Sequence, residues 1–243
     1  SGHLLGGALA AIVLGPWAGM LVMASVIGVQ ALLFQDGGLL VMGANILNMG
    51  IITAAVGYGL FRSVTGRDRG TQLAIAGIAA WLSVMAAAFA TAIQIWLSGT
   101  APLNIVMPAM LGVHALIGTG EALITVGALA FIQQVRPDLL HTESPAGGRG
   151  WVITGLIMAV ALVLLAPLAS ANPDGLERVA ENLGFIEAAT DAPYEVLPDY
   201  TIPFLGDSAL STILAGFAGA LVVAGLALLI VRLLQRRPHP DSR

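Results

Sequence analysis

Residues 71–97 read TQLAIAGIAAWLSVMAAAFATAIQIWL, without a single charged side chain. A helix needs about 20 apolar residues to cross a hydrocarbon core of about 30 Å. In lipid the backbone must satisfy its own hydrogen bonds, which a helix does internally. This stretch is therefore a membrane span, and similar stretches lie on either side of it. They are 18–34, 39–61, 103–135, 151–171 and 208–231, so the sequence predicts six full spans. The fold class is all-α, a polytopic membrane helical bundle. Composition agrees: the chain has 243 residues, 57% hydrophobic and only 10% charged, where soluble domains carry about 25% charged residues. Cysteine is absent, which removes disulfides and thiolate metal sites. All ten basic residues are Arg, and they form no basic nucleic-acid patch.

Ahead of the six spans lies a shorter apolar segment, 4–14. At about 1.5 Å per residue it covers roughly half of the hydrocarbon core. Gly15-Pro16 then breaks the helix, because proline cannot continue it and restricts the residue before it. The segment reads as re-entrant, or as the remainder of a span whose beginning is missing.

Arginine count sets the orientation. The loops 62–70 and 136–150 and the C-terminal tail hold nine of the ten Arg and share one face when the spans alternate. That face is expected to be cytoplasmic, in a cell (inner) membrane. The opposite face receives 35–38, 98–102 and the long segment 172–207, with eight acids and one Arg. His3 falls on that outer side. Within 172–207, Asp174 is a natural N-cap and Gly184 a natural stop, so a short amphipathic helix is expected. The rest reads as an extended, acidic extracytoplasmic loop. It is a solvated linker on its composition, with cation gathering or docking over the mouth as the functional alternatives.

Ionisable groups inside spans are costly and each needs a reason. His114 and Glu121, in GVHALIGTGEALIT, are seven positions apart and share a helical face. They read either as packing hydrogen bonds or as a polar path that supports a bound ion. An unpaired Glu121 carboxylate would be too costly there, so it is expected to be protonated or hydrogen-bonded. Asn45 and Asn48 share a face near the outer end of their span and read as interhelical hydrogen-bonding groups. His3 is flanked by Gly2, Gly6 and Gly7, which would let other backbone approach its ring. Imidazole suits Co, Ni, Cu and Zn better than Mg or Ca. One histidine cannot make a site, so partners must come from elsewhere.

Three stretches, SGHLLGGALAAIVLGPWAGMLVM, QALLFQDGGLLVMGANILNMG and HALIGTGEALIT, resemble the CbiM/NikM family in order along residues 1–135. These are substrate-capture membrane subunits of energy-coupling-factor ABC transporters for cobalt or nickel. ANPDGLERVAENLGF and APYEVLPDYTIP resemble the PDGLE-type N component. The resemblance divides the chain into an M-component core, 1–136, a cytoplasmic loop, 137–150, an N-like part, 151–237, and a tail, 238–243. It implies that His3, in the SGH motif, is a metal ligand, and that the remaining ligands lie in an N-terminal Met-His segment expected to precede Ser1. Asn45, Asn48, His114 and Glu121 are then supporting or pathway candidates. It also implies partners: a transmembrane coupling subunit and cytoplasmic ATPase subunits. The chain contains no G-x-x-x-x-G-K-[ST] phosphate loop and no H-E-x-x-H, and no enzymatic activity is expected. No permanent cofactor is expected, only transported Co2+ or Ni2+. The alternative is a proton-coupled secondary transporter with His114 and Glu121 as relay; paired broken helices in inverted repeats would mark it.

Overall fold

The structure, a computed structural model, describes residues 3–135, 149–168, 173–188, 194 and 196–235. Residues 137–148 of the expected loop 137–150 and the tail 238–243 lie outside the described residues, and residues 149 and 150 already belong to a helix. The architecture is helical, as the apolar runs dictate. Helix α1, Gly7–Leu14, is followed by α2, Pro16–Val29. Gly15 makes the break with φ 83°, and Pro16 sits at the first turn, where its missing N–H costs nothing. A π-helical turn, Gln30–Phe34, ends α2. The next span is built from α3, Met42–Asn45, a second π-helical stretch, Ile46–Ile52, and α4, Thr53–Arg62. Two long helices follow: α5, Arg69–Leu97, and α6, Leu103–Val135. Helix α7, Arg149–Leu165, a short α8, Gly175–Leu183, and α9, Ala209–Gln235, complete the described chain.

Five of these segments are long and apolar enough to cross a membrane: Pro16–Phe34, Met42–Arg62, Arg69–Leu97, Leu103–Val135 and Ala209–Ile230. The protein is a multi-pass membrane protein. The segment expected to be a span at 151–171 contributes a shorter apolar stretch, Gly155–Leu168. Large apolar side chains such as Leu116, Leu123, Leu162 and Leu221 project outward, more than 60% exposed, as the lipid-facing surface of a bundle requires.

The half-length α1 is held between two spans by small residues. Ala8 and Ala11 are fully buried. A Cβ on Gly57 of α4 would stand 2.6 Å from the Ala8 Cα, and one on Gly19 of α2 would stand 2.7 Å from the Ala11 Cα. Both glycines are therefore required for this close backbone approach. Asp68 caps α5 by accepting from the Thr71 amide at 3.0 Å and from the Thr71 hydroxyl at 2.6 Å. Those two bonds, the hydroxyl first, hold the Asp68 carboxyl below its ordinary range.

The expected amphipathic helix forms at Gly175–Leu183, with a capping box between Asp174 and Glu177 and a left-handed Gly184 at its end. It does not belong to a solvated linker. Val179 is buried, and Leu176, Leu183 and Phe185 join it against Ala92, Ala101, Val106 and Met110 of the α5–α6 end. Composition concealed this, because an acidic outer face and an apolar docking stripe alternate within the same few residues.

Candidate metal centre

The site starts with a pinned strand of backbone. Residues 3–6 run ahead of α1, whose first amides have no partner within the helix. Glu121, buried on α6, supplies one. Its Oε2 accepts from the Leu5 amide at 2.9 Å and its Oε1 from the Gly6 amide at 2.7 Å. A carboxylate at the positive end of α1 is favourable in charge as well as in hydrogen bonding. Gly6 takes φ 73° to turn into the helix, a conformation suited to glycine. Gly7 lies against a neighbouring span. It packs on Thr53 and the Met49 carbonyl, where a side chain would collide. Gly2 lies outside the described residues.

His3 hangs from this strand. Its Nδ1 lies 2.6 Å from the Leu4 carbonyl, so Nδ1 donates and the lone pair sits on Nε2. The Nε2 atom lies 3.1 Å from the Gln30 side-chain nitrogen and 3.8 Å from Asp36 Oδ2. Gln30 opens the π-helical turn that ends α2, a local form that recurs at functional sites. Its amide donates to Asp36 Oδ2 at 2.8 Å. The Tyr200 hydroxyl donates to the same oxygen at 2.9 Å. Burial, and then the neighbouring Asp36 charge, push the Tyr200 phenol well above its ordinary range, so it stays protonated and able to donate. An imidazole lone pair beside a carboxylate is a donor set suited to borderline divalent ions. Among the described residues no three His, Cys, Asp or Glu converge.

The other candidates divide. Glu121 anchors the His3 strand directly. Asn45 donates to the Gly37 carbonyl at 3.3 Å and tethers the loop that carries Asp36. Asn48 is away from the centre. It exchanges two amide hydrogen bonds with Gln94, at 2.8 and 3.0 Å, and donates to Thr91, tying the second π-helical stretch to α5. His114 places Nδ1 2.8 Å from the Met110 carbonyl of its own helix. His114 and Glu121 share a face, but each is engaged elsewhere. Sequence reasoning missed Gln30, Asp36 and Tyr200. The first two stand in QALLFQDGG, at the end of a span, where polar residues ordinarily mark only the water interface.

Residues 1–139 match the family described as the cobalt uptake substrate-specific transmembrane region, CbiM. The chain belongs to the CbiM family. Residues 149–236 match the PDGLE domain. A putative fused nickel transport protein NikMN of Archaeoglobus fulgidus is 37% identical over 236 residues, covering 96% of this chain and 78% of that one. A probable fused nickel transport protein LarMN of Lactiplantibacillus plantarum is 34% identical, covering 79% of this chain and 63% of that one. A cobalt transport protein CbiM of Sorangium cellulosum is 37% identical over 57% of this chain and 64% of its own length. A crystal structure of a truncated transition metal transporter superposes with a TM-score of 0.51 at 34% identity, covering 55% of this chain and 68% of that one. The CbiM family thus places this chain among cobalt and nickel transport proteins, with a PDGLE domain in the same chain.

Proposed function

We propose that this CbiM-family protein captures Co2+ or Ni2+ on the outer face of a cell membrane, as the substrate-binding subunit of an energy-coupling-factor transporter. The ion is cargo and His3 is one of its ligands. The observation that carries this reading is the His3 imidazole itself: its Nε2 lies 3.1 Å from the Gln30 amide nitrogen and 3.8 Å from Asp36 Oδ2, on a segment fixed by Glu121. The orientation follows the arginine distribution, with the C-terminus cytoplasmic and 172–207 outside. On this reading α7 completes a sixth span, and energy comes from a transmembrane coupling subunit and cytoplasmic ATPase subunits.

The proton-relay alternative has less support. The Glu121 carboxylate is committed to two backbone amides and His114 to its own helix. The test is uptake of radiolabelled nickel and cobalt by cells carrying the full-length protein with its partner subunits. His3→Ala is expected to reduce uptake to background. Uptake equal to wild type would remove His3 from the site.

A further inference from the structure

Tyr200 reaches the candidate centre from the PDGLE part of the chain. Its segment is seated on the end of α2 by independent contacts. The Leu197 amide donates to the Leu33 carbonyl at 3.0 Å. The Tyr200 ring stacks on Phe34 with centroids 4.3 Å apart and planes 16° from parallel. Phe34 is itself packed against α9: a Cβ on Gly219 would come within 2.8 Å of its ring. The backbone is also committed, since Asp199 and Tyr200 have φ 50° and 57°. Left-handed backbone at a bulky residue is uncommon and persists where the surroundings impose it, often at functional sites.

These contacts deliver one polar atom. The Tyr200 hydroxyl donates to Asp36 Oδ2, the same oxygen that receives the Gln30 amide and lies 3.8 Å from His3 Nε2. The stack docks the segment, and the hydroxyl orients the carboxylate. Without the hydroxyl, Asp36 loses one of the donors that fix its rotation, and Gln30 loses a neighbour at 3.4 Å.

We propose that Tyr200 is a positioning residue for metal capture: its hydroxyl holds Asp36 and Gln30 in the arrangement that faces His3 Nε2, so that the PDGLE part sets how tightly the ion is held. This rests on the metal-centre reading of His3. Tyr200→Phe separates the two roles, because it keeps the stack on Phe34 and removes only the hydroxyl.

The experiment titrates NiCl2 and CoCl2 into the full-length protein in lipid nanodiscs and follows release to a chelator. Tyr200→Phe is expected to weaken binding about tenfold through faster release, the size expected for a hydrogen bond to a charged group. Its melting temperature should fall by no more than a few degrees, the loss of one hydrogen bond. In an Asp36→Ala background the same change should alter affinity less than twofold, because the acceptor is gone. A tyrosine that only stabilised the fold would weaken both backgrounds equally, and that result would overturn the route through Asp36. His3→Ala separates the two levels. If it binds the ions as wild type does, the metal-centre reading fails and this inference with it. If it loses binding while Tyr200→Phe keeps wild-type affinity, the inference alone is overturned.

Discussion

At the scale of single residues, Glu121 is the buried charge whose partners explain its place. It is 4% exposed, in the middle of an apolar helix, and both carboxylate oxygens accept backbone amides of the strand that bears His3. A glutamine has the same shape but only one acceptor. Its NH2 group would face an amide N–H, leaving one buried donor without a partner. Glu121→Gln should therefore destabilise the protein by about 1–3 kcal/mol, read as a lower midpoint in thermal or denaturant unfolding in detergent. An unchanged midpoint would mean that the strand does not depend on this carboxylate. The cost of burying a charge made it legible in the sequence that Glu121 is either protonated or hydrogen-bonded, and the structure supplies the hydrogen bonds. Its partners were not, because they are backbone groups more than a hundred positions away. Tyr200 was illegible for a similar reason: its importance lies in a left-handed backbone and a contact with Asp36.

At the scale of elements, five of the six expected spans were legible because each is a long apolar run. The break at Gly15-Pro16 and the caps of α8 were legible from residue type. The two π-helical stretches were not, since extra residues in a helical turn leave no mark on an apolar pattern. Nor was the close approach of α1 to α4. Two glycines of α4 make this testable within one helix. Gly57 has Ala8 against it, whereas nothing lies within 4 Å of a Cβ on Gly59. Gly57→Ala overpacks the contact and should destabilise by about 1–3 kcal/mol. Gly59→Ala should be neutral or stabilising by up to about 1 kcal/mol, through helix propensity. Equal effects of the two substitutions on the unfolding midpoint would contradict the packing of α1.

At the scale of the whole molecule, two regions of the chain meet at one end of the bundle. The strand with His3, the end of α2 and the loop with Asp36 come from the CbiM part. Tyr200 and the docked α8 come from the PDGLE part. The stack of Tyr200 on Phe34 and the seat of Val179 on the α5–α6 end join them. On the proposed function, this meeting place holds the transported ion through His3. X-ray absorption at the nickel or cobalt edge, on the metal-loaded full-length protein, tests it most directly. The wild type should show a nitrogen and oxygen shell with the multiple-scattering signature of imidazole, and His3→Ala should lose that histidine contribution. A spectrum with the same imidazole signature in His3→Ala would contradict the claim.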